Sequence, residues 1–219
     1  MTHPLDDPIW AALTTVQAGF AAGDARAKRF AADVAPFLAL ADADAEADGW
    51  VAPGEAISFI GTLPRRSGLA VELDTTLLQM TRTRETPLPA AAGVALGAAD
   101  AADMVALTDV AFPGYFRPRT YLLGRYFGIR HEGRLVAMAG ERLAAPGWRE
   151  VSAVCTHPDH VGRGHARALM ARIMALHAQE GLTSFLHVSP ANAGAIRLYE
   201  ALGFAVRAEL PLRRVRRDG

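Results

Sequence analysis

From residue 91 onward, apolar and polar positions fall into blocks whose period switches between two and about 3.6. Val94 to Leu96 predicts a strand. Asp100 to Ala111 predicts a helix with Met104, Leu107 and Val110 or Ala111 on one face, and Pro113-Gly114 breaks it. Thr120 to Leu123 predicts a short helix. Arg125 to Ile129, a tight turn at His131-Glu132-Gly133 and Leu135 to Ala139 predict a hairpin. Glu150 to Thr156 predicts another strand. A loop from His157 to Gly164 leads to a helix whose apolar face is Ala166, Leu169, Met170, Ile173, Met174 and His177, with Gly181 as its stop. Phe185 to Val188 predicts a strand. Asn192 can cap a second helix with Ala195, Leu198, Tyr199 and Leu202 inside and Gly203 at its end. Phe204 to Val206 and Leu212 to Val215 predict the last strands. Meander and crossover connections together imply an α+β fold with a mixed sheet packed by helices.

The first 90 residues carry a weaker pattern. Ile9 to Phe20 can form an amphipathic helix. The acidic alternation Asp42, Asp44, Glu46 and Asp48 reads as a solvated helix or loop. Ala56 to Ile60 and Leu69 to Leu73 predict short strands, and nothing in this stretch has spacing suited to chemistry. Thr86-Pro87-Leu88-Pro89 predicts a linker, because proline continues neither a helix nor an inner strand. The expected organisation is an α/β segment over 1–86, a linker over 87–90 and a main domain over 91–219.

Composition narrows the class. A chain of 219 residues with 51% hydrophobic and 21% charged residues is that of a folded protein with one large or two small domains. The formal net charge of +0 argues against a dominant nucleic-acid role; Arg213, Arg214, Arg216 and Arg217 read as a solvated strand end. The balance is uneven, however. Residues 1–90 hold 7 basic and 12 acidic groups, and residues 91–219 hold 16 and 11, so an anionic ligand is expected in the second part. Cys155 is the single cysteine, so no intrachain disulfide forms. The first residues do not read as a signal peptide, and no apolar run of about 18 residues occurs, so a soluble, cytoplasmic protein without a membrane partner is expected.

The candidate chemistry begins at Val161-Gly162-Arg163-Gly164-His165-Ala166, between a strand and an amphipathic helix. The first turn of a helix has amides without partners, and its dipole favours an anion. Glycines there let a phosphate approach the backbone, and Arg163 and Arg167 add charge. A dinucleotide fingerprint needs glycine where Arg167 stands, and a nucleotide-triphosphate loop needs Gly-Lys-Ser/Thr, which is missing. The plain alternative is a tight turn with no ligand. His157, His160 and His165 match no common zinc spacing, so no metal is expected. Cys155 reads as a small buried residue.

The second segment, Asn192-Ala193-Gly194-Ala195-Ile196-Arg197-Leu198-Tyr199-Glu200-Ala201-Leu202-Gly203-Phe204, follows a strand at the right distance. Together the two segments resemble the GNAT (Gcn5-related) N-acyltransferase superfamily, closest to its FR47-like branch, over about residues 91–210. The first matches that family's Arg/Gln-x-x-Gly-x-Gly/Ala pyrophosphate motif, except that Val161 stands where Arg or Gln is usual. The second matches its Asn-x-x-Ala-x-x-Leu-Tyr-Glu-x-x-Gly-Phe motif.

The resemblance implies a sheet splayed by a bulge at the end of the Glu150 to Thr156 strand. It implies acetyl-CoA held by the backbone of Val154, Cys155 and Thr156, by Gly162, Arg163, Gly164, His165, Ala166 and Arg167, and by Asn192, which is equally a helix cap. A backbone N–H near Val154 would polarise the thioester carbonyl. Tyr199 would be the general acid towards the departing sulfur, its alternative being a core tyrosine. Glu150, Glu141 and His187 are the candidates for general base, each carboxylate being equally a strand-end group. The implied reaction is acetyl transfer to a primary amine of a small molecule or peptide, in a ternary complex. An acyl-CoA sensor without a working base is the alternative. Residues 1–90, which the resemblance permits to be a reduced family-like first half, can cover the sheet, shape the acceptor pocket or pair with a second subunit as a homodimer.

Overall fold

The computed structural model describes residues 3–219. Helix α1 (Pro8–Thr14) comes first, and the Asp7 carboxylate caps it by accepting the Trp10 N–H at 3.2 Å. The expected helix to Phe20 ends early. Thr14 and Thr15 turn their hydroxyls back onto the Trp10 and Ala11 carbonyls, a bonding that competes with helix continuation, and only a 3₁₀ turn follows at Ala18–Phe20. Strands β1 (Ala22–Gly23), β2 (Ala27–Arg29) and β3 (Leu38–Leu40) form a small antiparallel sheet. The acidic stretch after it runs in turns, with Asp42 and Asp44 paired to Arg26 and Arg65 at the surface.

Then come β4 (Ala56–Ile60), β5 (Ala70–Arg82), β6 (Val94–Leu96), α2 (Ala101–Ala111), β7 (Tyr126–His131), β8 (Arg134–Ala145) and β9 (Trp148–Thr156). They are followed by α3 (His165–Gln179), β10 (Thr183–Val188), α4 (Ala193–Ala201) and β11 (Phe204–Arg216). Eight strands make one mixed sheet in the order β4-β11-β5-β10-β9-β8-β7-β6. One face carries α3 and α4 over Met80, Leu186 and Phe204, with Leu169, Met170, Ile173 and Leu202 between. The other face is covered by α1 around Phe37, Phe185 and Leu210 and by α2 around Tyr126 and Met138.

Two expectations need correction. Phe204 to Val206 and Leu212 to Val215 are halves of one strand. Pro211 is the one turn-prone residue between them, and β5 supplies a ladder through it from Phe204↔Arg82 to Arg216↔Ala70, with shifts between Val206/Ala208 and Arg214/Val215. Pro211 is tolerated there because its backbone faces the side where β4 ends, as the Gly61 N–H on its carbonyl shows. The second correction concerns the separation at 87–90. That stretch is irregular, but it does not divide two units, since β5 lies between β10 and β11 in the middle of the sheet. The short strand read at Leu69 to Leu73 is the start of this 13-residue element.

The sheet opens in its centre. Parallel pairing of β9 with β10 runs only from Thr183↔Trp148 to Phe185↔Glu150. Two bulges flank the opening. In β9 the register slips between Ser152 and Cys155, and Ala153 takes a φ of 53°, a left-handed conformation that costs a non-glycine residue about 1–2 kcal/mol. In β8 it slips between Glu141 and Ala144. Backbone groups freed by this second bulge are satisfied by Gln17, which donates to the Arg142 carbonyl at 2.7 Å and accepts from the Ala144 N–H at 3.3 Å. Among the described residues no helix is long and apolar enough to cross a membrane.

Candidate active site

The loop between β9 and α3 brings the glycine segment to the mouth of this opening. Gly164 caps α3 with φ 76°, and Gly162 has φ 77°. A Cβ placed on either glycine meets nothing within 4 Å, so conformation and open space, not packing, account for them. Among the described residues, the amides of 162 to 167 have no hydrogen-bond partner; the first amide paired within the helix is that of Ala168, on the Gly164 carbonyl at 3.1 Å. Arg163 and Arg167 stand exposed beside them, without a carboxylate partner among the described residues. Val161, in place of the family's usual Arg or Gln, is 63% exposed.

These residues line a cavity of about 490 Å³ together with Val154, Cys155, Thr156, Gly194, Ala195, Leu198 and Tyr199. Every expected cofactor-binding residue except Asn192 lines it. The His157 N–H donates to the Val136 carbonyl, so strand alternation turns the Cys155 backbone towards β8 and the Thr156 backbone towards the cleft. This corrects the expectation that the backbones of all three residues 154–156 hold the donor: that of Cys155 is paired with β8. Burial pushes the Cys155 thiol up to about 12, which leaves it an inert side chain.

A second cavity of about 480 Å³ lies across the opening. Val154 and Tyr199 line both cavities, and so mark their junction. Asn192 faces the second cavity, and its Oδ1 also accepts the Ala195 N–H at 3.0 Å as the cap of α4. The Tyr199 hydroxyl has no partner among the described residues. Burial raises its pKa to about 12, so it keeps its proton at neutral pH.

The two carboxylates expected as bases are placed otherwise. Both oxygens of Glu150 are saturated: Oε1 accepts from Arg142 Nη2 at 2.6 Å and His187 Nδ1 at 2.8 Å, and Oε2 from Arg142 Nε at 2.8 Å and the Leu143 N–H at 3.1 Å. Burial alone would raise its pKa, but the Arg142 charge and these bonds outweigh it and hold the group at about 2. Glu141 turns to the α3 face, away from both cavities. It bonds His177 at 2.9 Å and the Arg125 guanidinium at 2.6 Å. There too the partners outweigh burial and hold the pKa at about 2. Glu150 has no lone pair free for an incoming amine, and Glu141, whose Oε2 accepts only the Arg125 N–H at 2.9 Å, lines neither cavity.

His187 lines the second cavity, yet both its nitrogens are engaged. The Gln79 amide is oriented by the Arg207 guanidinium on its oxygen and by the Leu5 carbonyl on its nitrogen. Its second N–H therefore points at His187 Nε2, 3.0 Å away, which fixes the tautomer with the proton on Nδ1, towards Glu150.

The site also holds residues that the sequence reading missed. Arg142 enters the second cavity from the β8 bulge, and Phe37, Ile60, Leu73, Thr75 and Leu77 line it from before residue 87. The alternation Leu73-x-Thr75-x-Leu77, three residues on one strand face, was the available signal.

Known proteins place this geometry. The family described as "FR47-like protein" matches residues 126–212. A GNAT-family protein from Novosphingobium aromaticivorans DSM 12444, assigned as an acetyltransferase, superposes with a TM-score of 0.89 at 35% identity, covering 100% of both chains. The chain belongs to the GNAT family of N-acetyltransferases. Two more distant GNAT structures share the fold. The acetyltransferase from Colwellia psychrerythraea has a TM-score of 0.54 at 18% identity, over 68% of this chain and 59% of that one. A GCN5-related N-acetyltransferase-like protein from Streptococcus suis 89/1591 has 0.51 at 19%, over 68% and 64%. No curated protein matches the sequence. As a GNAT protein, the chain has acetyl-CoA as its expected acyl donor, and the first cavity lies where the family motif sits.

Proposed function

We propose that this protein transfers the acetyl group of acetyl-CoA directly to a primary amine, with donor and acceptor entering from opposite sides of the splayed sheet. One observation supports this most: unpartnered amides at 162–167 open onto a cavity that meets a second, largely apolar cavity at Val154 and Tyr199. The amides and the α3 dipole suit the diphosphate, with Arg163 and Arg167 adding charge. The unpaired edge of β9 at Thr156 suits the amide-bearing arm of the donor, as an added strand would. A backbone N–H beside the Ala153–Val154 bulge is the polarising group for the thioester carbonyl.

The chemistry then needs little more than alignment of two reactants. The amine lone pair attacks the carbonyl carbon, the carbon–sulfur bond breaks, and sulfur gains one proton while the amine loses one. Tyr199, neutral and unpartnered at the junction, donates its proton to the departing sulfur and regains one from the solvent that takes up the amine's. With Glu141 and Glu150 locked in ion pairs, no carboxylate takes the amine's proton. The acceptor therefore reacts as free amine, or passes its proton to solvent. The full engagement of Glu150 and the placement of Glu141 outside both cavities also favour the second reading, an acyl-CoA sensor. Steady release of free CoA on mixing acetyl-CoA with an amine panel supports transfer; tight acetyl-CoA binding without release supports the sensor.

A further inference from the structure

The second cavity is closed by charge logic as well as by shape. Among its lining residues there is no aspartate or glutamate, and its only formal charge is Arg142. A guanidinium offers five N–H donors in a planar fork. Glu150 takes one from Nε and one from Nη2. Among the described residues Nη1 has no partner, although it is not sealed from solvent. The guanidinium is held rigid for use: Glu150 grips one edge, and the Phe37 ring lies 4.9 Å from its carbon. The β8 bulge, fastened by Gln17, fixes its backbone. Phe37, Phe112, Tyr115 and Leu77 make one side of the wall apolar, and uncharged polar groups such as Thr75, Ser152 and Asn192 complete it.

We infer that the acceptor is a primary amine bearing a carboxylate and an apolar body, its carboxylate bound by Arg142 Nη1. This deepens, and rests on, the acetyl-transfer reading of the same site. A polycation such as a polyamine would bury a second ammonium with no counter-charge, a costly arrangement. An amino acid with an aromatic or aliphatic side chain places its carboxylate on the free guanidinium edge and its side chain on the apolar wall. Its amine is left to face the junction at Tyr199.

The test compares L-phenylalanine, L-phenylalaninamide, phenethylamine and spermidine as acceptors, by CoA release, and their binding to CoA-saturated protein by calorimetry. Phenylalanine is expected to exceed the amide and phenethylamine in kcat/KM by about tenfold or more, the worth of one charged hydrogen bond. Spermidine is expected to be inert. In R142K, with folding checked by circular dichroism, the ratio of phenylalanine to phenethylamine should collapse towards one. Phenethylamine or the amide matching phenylalanine would overturn the inference and leave acetyl transfer standing. So would failure of phenylalanine to bind the CoA-saturated protein. Loss of acetyl-CoA binding itself would instead remove the parent reading.

Discussion

The donor cavity and the acceptor cavity touch at Val154 and Tyr199, yet they are built on different principles. The donor side draws on a single stretch from β9 to α4 and presents mostly backbone, with two glycines keeping space open. The acceptor side gathers side chains from both ends of the chain, and its polar groups are tied to one another through Asp6, Arg207, Gln79, His187, Glu150 and Arg142. Backbone recognition needs local sequence only, whereas a side-chain pocket needs the whole fold in place before it exists.

The strongest way to break this contrast is to remove the early chain. A protein limited to residues 91–219 keeps every motif residue but loses β5, the partner of both β10 and β11. We expect it to show no cooperative thermal unfolding by circular dichroism; a folded, CoA-binding fragment would mean the donor half stands alone. Next in size is Gly164→Asp. Its open position tolerates the side chain at a strain cost of about 1–2 kcal/mol. CoA affinity by calorimetry should nevertheless fall by about tenfold to hundredfold, because a negative charge enters the amide cradle. Gly164→Ala separates strain from charge and should lose much less.

At the junction, Tyr199→Phe should lower kcat by about tenfold to hundredfold, with little change in KM for acetyl-CoA. Equal turnover would reduce Tyr199 to a packing residue. Acid stability probes the locked carboxylates. Glu141 and Glu150 hold folded pKa values of about 2 against an ordinary 4.5. The unfolded chain therefore takes up their protons first as pH falls. Their contribution is complete above about pH 4.5 and is lost on the way down to about pH 2, by an amount on the order of a few kcal/mol. A melting temperature unchanged between pH 5 and pH 3 would contradict the ion-pair assignment. The smallest effect belongs to Leu73→Ala, at the half-exposed rim of the acceptor wall. It should raise KM for the acceptor a few-fold and leave acetyl-CoA binding untouched.

The same division explains what was legible. The glycine turn, Asn192 and Tyr199 can be read directly, because a helix start and a helix face are set by neighbours within a few residues. The elements from Val94 to Val188 are legible for the same reason. Long-range pairing is not. Nothing near Ala70 announces that it pairs with Arg216, and nothing around Leu212 reveals that its partner precedes it by more than a hundred residues. Glu141 and Glu150 illustrate the point at side-chain scale. Each is a carboxylate on a central strand, as a base would be, but what disables them, Arg125 with His177 and Arg142 with His187, arrives from the loop before β7, from other strands and from α3.

The placement of β5 bears on how the chain is made. During synthesis this strand emerges about a hundred residues ahead of β10 and still further ahead of β11; at roughly 5–20 residues per second it waits on the order of 5–20 s for its neighbours. Through that interval Leu77, Leu78 and Met80 sit in a strand with no edge to join, a hazard for sticking to other nascent chains. Glu72 and Asp74 at its exposed start, paired in the fold with Arg213, Arg214 and Arg216, are like charges of the kind that disfavour edge-to-edge pairing before the last segment is released.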